Sequence, residues 1–392
     1  MKLPQSISAF FLMIVVGAAS AFAVDPVIVL DLPGSGTDPD AIDYAGLPTL
    51  PGERGIVRPY GDELQFQLHN YLAFWKGRFW CAWSNGPVVE DVPGQEVWYA
   101  TSDDGLTWNE PATLTGPPEE GHAYIARGLW EREGELLALA AYFKGKGAFG
   151  VDKELVLQAW AWDEASGAWQ FREKLFDNAI NNFAPQRLPN SGDWILTRRD
   201  SRFNVSVLVG GVRSLTDWQS FPVVGVRDVE GFRPDEPIFW PSGGDTLFAL
   251  YRDNSGSQRL FHSLSQDGGK TWGRPVMTNF PNATSKLYSL KTSRGYRVLV
   301  SNANPKLARR ELHLSVSRDG EVFTRMARLD IPAPEQTPNL GKLWPKFRKG
   351  VASLQYPHMI EHDEHLYIAF SRYKWQTEVF RVSLKEIDEL LR

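Results

Sequence analysis

Side chains able to do chemistry open several apolar stretches of this sequence, at points where a buried strand would ordinarily begin. They are His69 and Asn70, Arg127, Gln186 and Arg187, Asp235 and Glu236, and Gln355, Tyr356 and His358. Others close such stretches: Arg199, Arg252, Asn302 and Arg372. An apolar core has no use for them, because a polar group buried without a partner is costly. Arginine offers a planar fork that holds a carboxylate by two parallel bonds. His69 and His358 have the types of an acid/base pair. Such a set fits work on an acidic ligand, provided that the fold gathers distant regions of the chain into one place.

The elements that would gather them repeat. An apolar strand, a turn rich in Gly, Asp or Asn, and a second apolar strand recur from His69, Ala123, Ala184, Asp235, Ser285 and Gln355, with successive starts 50 to 70 residues apart. A second pattern lies between the copies. It reads Ser102-Asp103-Asp104-Gly105-Leu106-Thr107-Trp108, Ser265-Gln266-Asp267-Gly268-Gly269-Lys270-Thr271-Trp272 and Ser317-Arg318-Asp319-Gly320-Glu321-Val322-Phe323, with worn versions at Ala165–Trp169 and Leu215–Trp218. A unit of that length holds four short strands, which is one propeller blade. Asp-Gly favours hairpin turns because it tolerates positive φ. A lone blade leaves its apolar faces wet, and closing a ring buries them. Six copies therefore predict an all-β, six-bladed propeller of four-stranded antiparallel blades over 24–392, with the innermost strands bringing the polar openers to the axis.

The bulk composition agrees. The chain has 392 residues with 15 Trp, 12 Tyr and 22 Phe, and helical signal is confined to Ser383–Leu391. Residues 1–23 read as a signal peptide: Lys2, an apolar run from Ile7 to Ala19, and Ala21-Phe22-Ala23 before the cleavage point. No later apolar run approaches membrane length. The expected product is an exported monomer, periplasmic or extracellular, with no membrane span. One cysteine, Cys81, rules out an intramolecular disulfide, so burial must supply the stability. A net charge of −5 without a basic run argues against nucleic acid as the partner.

The Ser-x-Asp-x-Gly-x-Thr-Trp pattern resembles the Asp box, the bacterial neuraminidase repeat of the sialidase superfamily, and the strand pairs are similar over roughly Leu64 to Val382. The resemblance implies a retaining exo-glycosidase that releases a terminal, acidic sugar from a glycan without a cofactor. Sialidases use a Tyr nucleophile activated by a Glu, an Asp as acid/base, and three arginines on the substrate carboxylate. Tyr356 in Gln355-Tyr356-Pro357-His358 matches the nucleophile, and Glu236 in Asp235-Glu236-Pro237 its partner. Asp91 in Glu90-Asp91-Val92-Pro93 matches the acid/base, with Glu90 second. A neutral Tyr avoids the repulsion that a carboxylate nucleophile would feel from an acidic sugar.

The arginines depart from the pattern. Arg252 matches the second of the three, and Arg310, with Arg309 beside it, the third. Where the first is expected the chain reads Leu68-His69-Asn70-Tyr71. A lost fork leaves room for a uronic acid or a neutral sugar, with Arg187 or Arg252 as its clamp and Arg127, His69, Asn70 and His358 as further contacts. Two other functions stay open: a glycosidase or lyase for uronic-acid glycans built on His69 and His358, and a glycan-binding propeller without catalysis. His358, His362 and His365 flank Asp363-Glu364, which reads as a turn; they should point apart, and no metal is expected.

Overall fold

The structure, a computed structural model, describes residues 26–60, 66–87, 89–334 and 352–392. The signal-peptide reading of residues 1–23 lies outside the described residues. Two N-terminal strands, β1 (Thr49–Leu50) and β2 (Glu53–Arg58), precede six antiparallel meanders. Blade 1 holds β3 (Phe66–Trp75), β4 (Arg78–Gly86), β5 (Glu96–Ser102) and β6 (Ala112–Thr113). Blade 2 holds β7 (His122–Arg132), β8 (Glu135–Lys144), β9 (Val156–Asp163) and β10 (Ala168–Asp177). Blade 3 holds β11 (Gln186–Arg187), β12 (Trp194–Arg199), β13 (Val205–Gly210) and β14 (Trp218–Val224). Blade 4 holds β15 (Pro234–Gly243), β16 (Thr246–Asp253), β17 (Arg259–Ser265) and β18 (Val276–Pro281).

Blade 5 comprises β19 (Tyr288–Lys291), β20 (Arg297–Ser301), β21 (His313–Ser317) and β22 (Arg325–Leu329), and β1 adds a parallel fifth strand at its outer edge. Blade 6 takes β23 (Leu354–His362), β24 (His365–Arg372) and β25 (Gln376–Ser383) from the C-terminal region and borrows β2 as its outer strand. That exchange ties the two ends of the ring together and removes an open edge. A short helix, α1 (Leu384–Leu390), follows, capped by the Ser383 side chain.

The hydrophobic clusters straddle neighbouring blades, as ring closure requires. Leu72, Cys81 and Trp83 of blade 1 pack with Tyr367, Ala369 and Val379 of blade 6. Trp130 and Leu139 of blade 2 meet Leu196 and Leu208 of blade 3. Cys81 is fully buried, and burial pushes its thiol up, away from the reactive thiolate. Local chemistry sets the hairpins. Lys76-Gly77, Glu133-Gly134 and Asp363-Glu364 all take positive φ at both central residues, the twist that two-residue hairpins need. The last of these splays the nearby histidines: His362 stacks on Phe74, and His365 turns back to the Asp363 carbonyl. Among the described residues no group of His, Cys, Asp and Glu gathers to hold a metal.

The Asp boxes are turn devices. Ser102 Oγ accepts the Gly105 amide at 2.8 Å, and Asp104 accepts the Leu106 and Thr107 amides at 2.8 and 2.7 Å. Ser265 with Asp267, and Ser317 with Asp319, repeat the arrangement. Each joins the third and fourth strands of its blade. In a meander those turns lie on the face opposite the connections between second and third strands, which include the segment with Glu90 and Asp91.

Candidate functional site

The innermost strands of blades 1, 2, 4 and 6 share one irregularity. Their ladders shift register between Leu68 and Tyr71, Ala126 and Gly128, Asp235 and Ile238, and Gln355 and His358. The residues caught in the bulges include His69, Arg127, Glu236 and Tyr356. A bulge re-aims a side chain out of the ladder, and here each turns toward the axis. His69, Glu236 and Tyr356 take φ of 58°, 39° and 59°, a strained setting for non-glycine residues that recurs at functional sites. Glu236 and Tyr356 are each followed by proline, which has no amide to offer the ladder and so suits a bulge.

Arg252, near the end of β16, binds the Glu236 carboxylate through Nη1 at 2.7 Å and reaches the Tyr356 hydroxyl as well. Burial acts to raise the Glu236 carboxyl, but the charges of Arg252, Lys286 and Arg199 outweigh it and hold it at about 2. Burial, and then the negative charges of Glu236 and Glu90, push the Tyr356 phenol well above its ordinary value. Arg309 lies close enough to act on the same phenol. Its guanidinium is fixed by Gln355 Oε1 at 2.5 Å and the Thr284 carbonyl at 2.6 Å. Asp235 braces the cluster from behind: it accepts Arg199, Asn254 at 2.6 Å and the Glu236 amide at 2.9 Å.

Asp91 stands on the blade 1 connection between β4 and β5, in a left-handed conformation with φ of 55°. Gln95 holds that connection, accepting the Asp91 amide at 3.0 Å and donating to the Tyr124 carbonyl at 2.7 Å. Asp91 Oδ1 is buried without a hydrogen-bond partner. Burial, then the neighbouring Glu90 charge, raises the carboxyl to about 7, against the opposing pull of Arg127 and Lys374. Glu90 is engaged elsewhere. It pairs with Lys374 of blade 6 and lies 3.6 Å from His69 Nε2.

Both axial histidines are pushed toward the neutral form. Burial, reinforced by the Arg127 and Lys286 charges, lowers His69 well below its usual range, and its Nδ1 meets Ser84 Oγ at 3.0 Å. His358 Nδ1 accepts the Leu72 amide at 3.1 Å, and burial presses the ring down to about 3. Asn70 accepts Thr377 Oγ1 at 3.2 Å beneath the site.

Two expected contacts stand elsewhere. Arg187 is exposed beside the turn between β11 and β12, its guanidinium 4.7 Å above the Trp194 ring and bonded to the Gly192 carbonyl. The chain passes the axis earlier in that blade, at Asn181 and Asn182, before β11 begins; Asn182 donates to the Pro237 carbonyl at 3.0 Å. Arg310 turns back to the Leu307 carbonyl, so Arg309 is the arginine that faces Tyr356 and Glu236.

A further axial residue, a charged one, is also absent from the sequence-based set. Lys286 is 1% exposed, donates to Tyr71 Oη at 2.9 Å and the Asn182 carbonyl at 3.3 Å, and lies over the rings of Tyr71, Phe183 and Tyr356. Burial lowers its ammonium far below the usual value. A signal was present: Lys286 is second in the copy from Ser285, as Glu236 and Tyr356 are second in theirs.

The family comparison matches residues 77–368 to the BNR repeat-like domain, and the chain belongs to that family. No curated protein matches its sequence. Among solved structures it is similar to a protein of unknown function from Dyadobacter fermentans, with a TM-score of 0.65 and 14% identity over 86% of this chain and 100% of that one. The NanB sialidase of Streptococcus pneumoniae gives a TM-score of 0.64 at 10% identity, covering 86% of this chain and 71% of that one. The Trypanosoma rangeli sialidase bound to sialic acid gives 0.62 at 13%, covering 87% of this chain and 60% of that one. At such identities the likeness is one of fold: the chain is a six-bladed, sialidase-like propeller.

Proposed function

We propose that the protein is an exo-acting glycoside hydrolase that removes a terminal acidic sugar from a glycan, with Tyr356 as nucleophile, Glu236 as its activator and Asp91 as acid/base. The observation that carries this reading is Arg252, which joins a buried carboxylate and a buried phenol delivered by blades 4 and 6. Arg252 and Arg309 form the clamp for the sugar carboxylate. Tyr356 Oη attacks the anomeric carbon while its proton passes to Glu236. Asp91, protonated near neutral pH, gives its proton to the departing glycosidic oxygen. Water then cleaves the tyrosyl–sugar bond, with Asp91 taking the water's proton. His69, in place of a third fork, contributes a neutral edge and favours a substrate held by two arginines.

The reading in which His69 and His358 exchange protons draws less support. A ring at about 3, its Nδ1 committed to a backbone amide, is a weak base. The test is Tyr356→Phe and Asp91→Asn, assayed separately on acidic glycosides with mass analysis of products. Loss of turnover in both supports the assignment. Full activity in both refutes it. Tight binding of an intact oligosaccharide without turnover by the unmodified protein would point to a binding module instead, and an unsaturated uronate product to a lyase.

A further inference from the structure

We propose that a cleft at the rim of blade 2 binds neutral sugar units of the glycan that continue beyond the scissile bond. The assignment of that direction rests on Asp91 being the acid/base. The cleft has a volume of about 660 Å³ and lies where β7, β8 and β9 emerge beside the Asp91 connection. Its aromatic wall is Tyr124 and Tyr142, with ring centroids 4.9 Å apart, and His122 stacks parallel on Tyr142 at 4.8 Å. Gln158 lines the cleft, is 7% exposed, and carries a buried Oε1 with no hydrogen-bond partner. A buried amide oxygen left unpaired is expensive, and a sugar hydroxyl supplies the missing donor. Aromatic rings with an apolar body and a polar tip suit the mixed surface of a pyranose.

The charges select the sugar. Glu119, Glu154 and Asp177 outnumber Lys153 and Lys174 around the cleft, so the lining carries a slight negative excess that disfavours an acidic unit. Hydroxyl-rich neutral hexoses fit that lining better than a uronate does. The position selects the direction. Gly94 donates to the His122 carbonyl at 2.9 Å, Gly147 to the Asp91 carbonyl at 2.7 Å, and Gln95 ties Asp91 to Tyr124. The cleft wall is thus bonded directly to the connection that presents the acid. A glycosidic oxygen receiving the Asp91 proton would leave its remaining chain on this side.

The experiment compares a phenyl glycoside of the acidic sugar with a trisaccharide in which two neutral hexoses follow it, using the full chain and the variants Gln158→Leu and Tyr142→Ala. The expected result is a rise in KM of about tenfold for the trisaccharide in either variant, with kcat unchanged and the phenyl glycoside unaffected. Equal effects on both substrates, or none on either, would overturn the subsite. Thermal melts guard against a variant that fails to fold. If the unmodified protein cleaves neither substrate, the axial reading fails, and saturation-transfer NMR with lactose decides the cleft separately. Transfer to lactose that Gln158→Leu abolishes supports it; no transfer to lactose from the unmodified protein overturns it.

Discussion

Arg252 Nη1 sits 2.7 Å from Glu236 Oε2, so the arginine expected to clamp the substrate is engaged by the carboxylate expected to activate the nucleophile. The two duties compete. A substrate carboxylate that draws Arg252 away removes the largest charge holding Glu236 at its low pKa, and the freed carboxylate becomes a better acceptor for the Tyr356 proton. Acidic substrates would then raise their own kcat. Esterifying the sugar carboxylate should lower kcat, not only raise KM, and steady-state kinetics on the acid and its methyl ester would show which. Glu236→Gln should cut kcat by roughly 10²–10⁴-fold, because the phenol loses its proton acceptor. A variant that keeps kcat and changes KM alone would leave Glu236 with no part in activation.

Asp91 sets a limb of the pH profile. Its carboxyl is raised to about 7, and leaving-group protonation needs the protonated form. Activity should hold below neutrality and fall as pH rises through about 7, a limb visible in kcat/KM for the free protein. In Asp91→Asn that limb disappears, with kcat down by roughly 10²–10⁴-fold on glycosides with poor leaving groups. Aryl glycosides whose phenols leave as anions should lose far less. A falling limb retained in Asp91→Asn would assign the titration to another group.

The Asp boxes should matter for stability and not for turnover. Asp104 accepts two backbone amides and the Thr107 hydroxyl on the face away from Asp91. Burial alone would raise its carboxyl, yet these bonds hold it at about 2. A depressed folded pKa means that the contribution is present above about 4, the unfolded value, and is lost as pH falls toward 2. Asp104→Ala should cost about 1–2 kcal/mol of turn bonding, seen as a lower Tm at neutral pH, with kcat/KM unchanged. Below about pH 2 the variant and the parent should melt alike.

The ring was legible because its signals are local. Asp-Gly turns, Ser and Asp at fixed offsets, and polar residues opening apolar strands all lie within a few positions of one another. His69, Glu236 and Tyr356 were found this way, each sitting in a bulge just where its strand begins. Blade 3 was misread because its innermost segment pairs poorly: the regular strand starts only at Gln186, after the chain has already passed the axis at Asn182. Arg187 inherited a role from a register that begins too late. Lys286 was passed over because lysine at a strand start normally reaches solvent, and the groups that enclose it, Tyr71, Asn182, Phe183 and Tyr356, are all distant in sequence. Arg309 and Arg310 are adjacent in sequence, and backbone direction alone decides which of them turns inward.

Arg127 offers a last test, one that separates ligand binding from mere packing. It is 3% exposed, with Nε and Nη1 buried and unpaired, and the positive charges of Lys286 and Arg199 stand near it. Its attraction to Asp91 and its bond to Tyr71 leave those two donors idle, and they are open to an acceptor that arrives with the substrate. Arg127→Met keeps the volume and removes both the unpaired donors and the repulsion. We expect about 1–3 kcal/mol of relieved desolvation, seen as a higher Tm, together with weaker binding of the acidic sugar. Arg127 also pulls the Asp91 carboxyl downward. Its removal should therefore move the alkaline limb of kcat/KM above its position near pH 7, a shift that loss of packing would not produce. A less stable variant with an unmoved limb would make Arg127 a structural residue after all.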